Sequence, residues 1–323
     1  MRKLVLIMTW TNYLSYRVDK DNKSKLKQVF EYHLSQHDTD LCKMSQYMSQ
    51  AILLEVCTHP KPGLVTRRSN GSHQDMSILT FAMSSPVLCK AFTDLQDIGM
   101  THKGSAKELM AKVRSYGIIA EQELLRATKG INTQRGILFA GGLISAAAGY
   151  AYNHGLAKAD IIMIVKNMTA GIVEMELKNM NSKKLTAGEI LYKDYGITGI
   201  RGEVEQGFPS VVHQGMPALY EAFEKKANLN DALLHTLFSL MTVVQDSNVI
   251  WRTDIQTAEE VKLTAGKIIA LGSVFTEAGR SEIRKTEEYF LSRRISPGGS
   301  ADLLSVTIGL YLLENKEFPV SIF

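Results

Sequence analysis

Cysteine is scarce in this chain: Cys42, Cys57 and Cys89 are the only three, and none forms a CxxC pair. So odd and scattered a set excludes a disulfide framework and a thiolate zinc site, and it fits a reducing compartment. Proline is nearly as sparse, 7 of 323 residues, and aromatic residues make up 8%. Collagen-like, mucin-like and low-complexity chains are thereby excluded. Neither sign of charge dominates: the net charge is +4 and the pI about 8.8. A mixed, solvated surface accounts for that balance, and no nucleic-acid partner is expected. Long apolar runs are missing too. The run Leu4–Met8 behind Arg2 and Lys3 is shorter than the ~7–15 residues of a secretory h-region, and no small-residue cleavage site follows it. The uncharged stretch Gly136–Asn153 falls short of the ~20 apolar residues of a spanning helix. The expected setting is therefore cytoplasmic, with no membrane partner.

What is present is helical periodicity. Met44, Met48, Ala51, Ile52 and Val56 recur at steps of three and four residues, the repeat of one helix face. Ser105 with Glu108, Thr186 with Glu189 and Thr257 with Glu260 have capping-box spacing. Gly196 is a suitable stop after Leu191 and Tyr195. Further helices are predicted over 136–153, 158–180, 217–227, 230–245, 280–294 and 300–315. Alternating runs bounded by hairpin turns are lacking, and T-A-G recurs at Thr169, Thr186 and Thr264 without a fixed period. The predicted fold class is all-α: a single multi-helical globular domain with motif-bearing loops between helices. It spans residues 41–318, behind a polar peripheral extension (1–40, helical from Lys25 to Leu34) and ahead of a short tail (319–323).

Six of the seven prolines (Pro60, Pro62, Pro86, Pro209, Pro217 and Pro297) lie in or beside segments that break this periodicity. Those segments are His59–Asp75, Gly202–Gly215 and Ser296–Ser300, with Gly130–Gly136 and Asp246–Asp254 as proline-free counterparts. They are longer than plain connections need to be, and each combines Gly or Pro with charged or amide side chains, the composition of ligand-gripping loops. The common nucleotide and hydrolase signatures are missing: no HExxH, no strand-bound GxGxxG, no GxSxG. In the nearest approach to a P-loop, Gly99 to Ser105, Ser105 follows Gly104 directly, where the motif requires lysine. The histidines show no metal-ligand spacing.

The five segments read HPKPGLV (His59–Val65) continuing as SNGSHQDM (Ser69–Met76), KGINTQRG (Lys129–Gly136), RGEVEQGFP (Arg201–Pro209), DSNVIWR (Asp246–Arg252) and SPGGSADLL (Ser296–Leu304). In this order the chain resembles the triphosphoribosyl-dephospho-CoA synthase family over roughly residues 45–313. Members of that family make the prosthetic-group precursor of citrate lyase or, in a sister branch, of malonate decarboxylase. The chain departs from the family pattern in having Gln134-Arg135 for the usual His-Lys, Ser247 for Thr, and Thr253-Asp254 for Gly-Gly. The resemblance implies transfer of the triphosphoribosyl group of ATP onto the ribose 2′-hydroxyl of 3′-dephospho-CoA, with adenine leaving. The product would pass to a transferase that forms the holo acyl carrier protein.

That chemistry breaks an N-glycosidic bond, builds positive charge on a ribose ring and needs a base for the attacking hydroxyl. It also needs cations, backbone amides and Mg²⁺ for the polyphosphate. Glu203 and Glu205, which an extended loop would point to one side, and His73 with Asp75 are the expected catalytic groups. A surface charge cluster and a structural histidine are the plain alternatives. Asp246, Asn248 and Asp302 are the expected Mg²⁺ ligands; Asp246 ends an apolar helix, where the dipole disfavours an acid, and Asp302 follows the N-cap Ser300. Lys61, Arg67, Arg68, Asn70, Lys129, Asn132, Thr133, Arg135, Arg201, Arg252, Gly298, Gly299 and Ser300 are expected to bind nucleotide and phosphate. An N-glycosidase or ADP-ribosyl-type hydrolase, and a non-catalytic CoA-binding helical protein, are the competing readings.

Overall fold

Apolar residues spaced three and four apart, with no strands to pair, bury themselves by helix-on-helix packing. The computed structural model describes residues 39–178 and 185–320. Among them it forms thirteen α-helices and no strand. In chain order these are α1 (Met44–Cys57), α2 (Ile78–Thr101), α3 (Ala106–Ala127), α4 (Arg135–Asn153) and α5 (Ile161–Thr169). There follow α6 (Ala187–Tyr195), α7 (Gly199–Gln206), α8 (Met216–Glu224), α9 (Leu229–Met241) and α10 (Ser247–Arg252). The last three are α11 (Ile255–Ala270), α12 (Glu277–Arg293) and α13 (Gly298–Asn315). The helix expected at Lys25–Leu34 lies outside the described residues, as does the extension up to residue 38.

Two helices are buried nearly all round. One is α4, rich in Gly and Ala, which packs along α2; the other is α13, enclosed by α1, α4 and α9. Small residues let α2 and α4 approach backbone to backbone. A β-carbon on Gly149 would stand 2.0 Å from the Gln96 carbonyl oxygen, and one on Gly99 equally close to the Ala146 carbonyl. By length and composition α2 alone among the described helices could cross a membrane; here it packs against α1, α3 and α4.

The capping boxes at Ser105–Glu108 and Thr186–Glu189 form as expected, and Gly196 closes α6 in the left-handed conformation. Other boundaries differ, each for a local reason. Pro86 lies inside α2 rather than in a break. The Ser84 and Ser85 hydroxyls donate to the Phe81 carbonyl, next to the Ala82 carbonyl that has no amide partner at Pro86. The predicted helix over 158–180 is divided: α5 stops at Thr169, Gly171 takes a positive φ, and a separate π turn covers Glu174–Lys178. Asp254 caps α11 three residues before the position expected from Thr257 and Glu260. Most of the expected loops prove to be short helices or helix starts, because tertiary packing supplies the stability that Gly-rich sequence lacks.

The close contact of α2 with α4 gives a direct test. Gly149→Val is expected to destabilise the protein by about 3 kcal/mol through overpacking against the Gln96 carbonyl. Urea unfolding would measure it, and a change below about 0.5 kcal/mol would contradict the backbone contact.

Candidate active site

Asp246 is 3% exposed and stands at the start of a helix, not at the end of one. The apolar helix α9 finishes at Met241, and Asp246 is the N-cap of α10. The expected dipole penalty is therefore reversed, since an acid is favoured at a helix start. Its Oδ1 accepts the amides of Asn248 (3.1 Å), Val249 (3.3 Å) and Gly299 (3.1 Å). Its Oδ2 accepts the amide and hydroxyl of Ser300, at 2.9 and 3.0 Å. The N-cap of α13 is Pro297 rather than the expected Ser300, and proline offers no capping acceptor. Asp246 supplies that acceptor from another helix. Burial pushes its carboxyl pKa up, and these donors pull it back.

Asp302 follows one turn into α13. A β-carbon on Gly136 would stand 1.9 Å from its Oδ2, so only glycine lets the start of α4 approach it. The Ile137 amide donates to it. Burial holds its pKa well above the usual carboxylate range, and the Glu55 and Asp246 carboxylates push it further. Glu55 itself is buried in an ion pair with Lys61. Lys61 thus serves a neighbouring carboxylate and is not a free phosphate ligand.

The segment around Lys61 is tied down by residues off the cavity described below. Asn230 at the start of α9 bonds both the amide and the carbonyl of His59, and Arg67 donates to Asn230 and to the Cys57 carbonyl. His73 Nε2 lies 2.8 Å from the Ser296 hydroxyl, and its Nδ1 is 3.7 Å from the exposed Asp75. Burial, with Arg252 nearby, lowers the His73 pKa. Arg252 donates to the Ser72 carbonyl. Arg67, Arg68, Asn70, His73, Asp75, Lys129 and Arg252 all lie off the cavity lining.

That cavity has a volume of about 690 Å³. Leu95, Met110, Val113, Leu138 and Phe139 form an apolar part of its wall. The first turns of α4, α6, α7, α10 and α13 border it with Arg135, Ala187, Gly199, Ser247, Asn248, Gly298 and Gly299. Asp246 already takes the first amides of α10 and α13, and Thr186 caps α6, so what these helix starts turn to the cavity is the positive end of the backbone dipole, which favours anions. Asn132, Thr133, Arg201, Glu203 and Asp302 complete the expected residues on the wall. The Thr133 hydroxyl is buried there with no hydrogen-bond partner among the described residues.

Glu203 and Glu205 do not share a side. Both lie on α7, where positions two apart diverge by roughly 200°. Glu203 faces the cavity and accepts the Ser210 hydroxyl (2.5 Å) and amide (3.3 Å), while Glu205 accepts the Gly171 amide (2.6 Å) and is off the lining. Burial raises the Glu203 pKa, against the Ser210 bonds.

Sequence reasoning passed over Arg114, Glu121, Glu176, Trp251 and Lys262, which also line the cavity. Glu176 bridges Arg114 and Arg201, with its Oε2 2.7 Å from Arg201 Nε, and Glu121 pairs with Arg135. A signal for the α3 members existed. Met110, Val113, Arg114, Gly117, Ile118 and Glu121 recur at helical spacing, so an arginine and a glutamate share an otherwise apolar face. Gln134 points elsewhere: it is 4% exposed, takes the Ser84 hydroxyl and does not line the cavity. The Gln-for-His departure at 134 thus leaves the cavity wall unchanged.

Comparison with known proteins bears on this site. The CitG family model, described as ATP:dephospho-CoA triphosphoribosyl transferase, matches residues 42–319. A Malonomonas rubra protein named "Probable 2-(5''-triphosphoribosyl)-3'-dephosphocoenzyme-A synthase" is 40% identical over 87% of this chain and 90% of its own length. The 2-(5''-triphosphoribosyl)-3'-dephosphocoenzyme-A synthase of Pectobacterium atrosepticum is 37% identical over 84% of this chain and 89% of its own. That of Klebsiella pneumoniae is 35% identical over 80% and 87%. No solved structure matches.

The Asp246 contacts set a stability test. Asp246→Ala strips the acceptor from buried amides at two helix starts. A loss of at least about 3 kcal/mol is expected in urea unfolding. A loss under about 1 kcal/mol would show that water or other groups satisfy those amides.

Proposed function

The chain belongs to the ATP:dephospho-CoA triphosphoribosyl transferase family, and we propose that it moves the triphosphoribosyl group of ATP onto the 2′-hydroxyl of 3′-dephospho-CoA, releasing adenine. The product, 2′-(5″-triphosphoribosyl)-3′-dephospho-CoA, is the precursor of the citrate lyase prosthetic group, and a transferase that forms the holo acyl carrier protein would consume it. The setting proposed is cytoplasmic, with small-molecule substrates and neither a nucleic acid nor a membrane as partner. The observation that supports this reading best is the cavity itself. It brings arginines and helix starts, suited to a polyphosphate, onto the same wall as the carboxylates of Glu203 and Asp302.

In this reading Glu203 accepts the proton of the attacking 2′-hydroxyl. Its half-buried position raises its basicity, and the Ser210 hydroxyl holds its Oε1 in place. Positive charge that builds on the ribose ring as the C1–N9 bond breaks is met by carboxylates on the same wall. The apolar stretch around Leu138 and Phe139 suits a purine, and Asn132 and Thr133 can hydrogen-bond to it or to ribose. Glu205, His73 and Asp75 take no part, since all three lie off the wall.

Mg²⁺ fits part of the expected ligand set. Asp302 is buried beside the carboxylates of Glu55 and Asp246, and a divalent ion at that position would favour its ionised form. The Asn248 side chain lies on the wall beside Gly298. Asp246 fits poorly as a ligand, because five donors already occupy its two oxygens. Asp302 and Asn248 would therefore hold the ion, and Asp246 would position the helix start beside it. The ion would neutralise phosphate charge.

The assay combines the protein with ATP, Mg²⁺ and dephospho-CoA and follows free adenine. Adenine that appears only with dephospho-CoA present is expected. ADP or AMP without adenine would overturn the reading, and adenine without dephospho-CoA would make the protein a hydrolase. Because Glu203 titrates above the usual glutamate range and acts when ionised, the rate should fall as pH drops through that raised value. Glu203→Gln should lower the rate by about 10²–10³-fold and abolish this acid limb. An unchanged pH profile would remove Glu203 from the base role.

A further inference from the structure

Arg114 and Arg201 reach the cavity from different helices, α3 and α7, and meet on one carboxylate. Glu176 takes Arg201 through Nε at 2.7 Å and Arg114 through one terminal nitrogen. A guanidinium carries five N–H donors in a planar fork. Each arginine thus spends one nitrogen on Glu176, and none of its other nitrogens has a hydrogen-bond partner among the described residues. Their side chains are 42% and 30% exposed and border the cavity, whereas Glu176 is only 20% exposed. The same device occurs once more on this wall, where Glu121 holds Arg135. Two guanidiniums aligned on one anionic oxygen pair, with donors to spare, make a fork for oxygens of a phosphate chain.

We propose that Arg114 binds the polyphosphate of the substrate together with Arg201, and that Glu176 is a positioning residue that holds both guanidiniums in place for it. This rests on the transferase reading for the identity of the substrate but not for the chemistry of the subsite. Arg114 does not touch the reacting carbon in this scheme. Its loss should weaken binding of ATP and spare both the chemical step and the affinity for dephospho-CoA.

Inorganic tripolyphosphate is the probe, with binding measured by calorimetry on the full chain and turnover measured in parallel. Arg114→Gln is expected to weaken tripolyphosphate binding about tenfold or more and to raise the KM for ATP in step. The kcat and the KM for dephospho-CoA should stay within about threefold, and Arg114→Lys should recover part of the loss. Should Arg114→Gln fail to fold, Glu176→Gln gives the same reading. It loosens both guanidiniums and should weaken tripolyphosphate binding about threefold or more. A bridge that merely braces the fold would instead lower the melting temperature and leave tripolyphosphate affinity within twofold of wild type, which would overturn the proposal. So would a wild-type protein that does not bind tripolyphosphate. Loss of binding in Arg114→Gln, with no adenine released by the wild type, would uphold the subsite and overturn the transferase reading. Adenine release with unaltered tripolyphosphate binding would do the reverse.

Discussion

The site depends on one buried carboxylate that serves two helices at once. Asp246 caps its own short helix and, across a gap of more than fifty residues in sequence, the start of α13. Helix α13 begins with Pro, Gly and Gly, which cannot cap it, so its first amides need an acceptor from elsewhere. Supplying that acceptor from α10 fixes the position of Asp302, which in turn fits against α4 only because residue 136 is glycine. Three helix starts are thereby brought together by one set of hydrogen bonds and one missing side chain.

Charge on the cavity wall is nearly balanced. Arg114, Arg135, Arg201 and Lys262 face Glu121, Glu176, Glu203 and Asp302. Two of the four carboxylates, Glu121 and Glu176, are occupied in holding arginines, while Glu203 and Asp302 are not. Wall chemistry therefore falls into a cationic part, a part with carboxylates raised in pKa by burial, and an apolar part. A molecule with a polyphosphate, a ribose and a flat heterocycle has the same three characters.

The segment His59–Asp75 shows how a motif can matter without lining a site. Its Lys61 neutralises Glu55 beside Asp302, its His59 is clamped by Asn230, and its Ser72 bonds the carbonyls of Phe290 and Ile295. Its charged and amide residues bind neighbouring helices and loops, and none of them lines the cavity. The same composition suggests ligand contact when read in one dimension, because gripping a ligand and gripping a neighbouring helix call for the same donors and acceptors.

From sequence alone the helical class, several caps, the Gly196 stop and the family resemblance were legible, since each is carried by residues within a turn or two of one another. Glu203, Asn132, Thr133, Arg135, Arg201 and Asp302 were also legible as residues of distinctive segments, and they share one cavity. Only the folded chain decided that Glu203 and Glu205 diverge, that Asp246 spends its oxygens on amides, and that Arg114 and Glu176 join the wall. Local periodicity reports which face of a helix is apolar. Which helix start lies opposite which side chain depends on contacts between residues far apart in the chain, where close packing of Gly against carbonyl or carboxylate leaves a single arrangement.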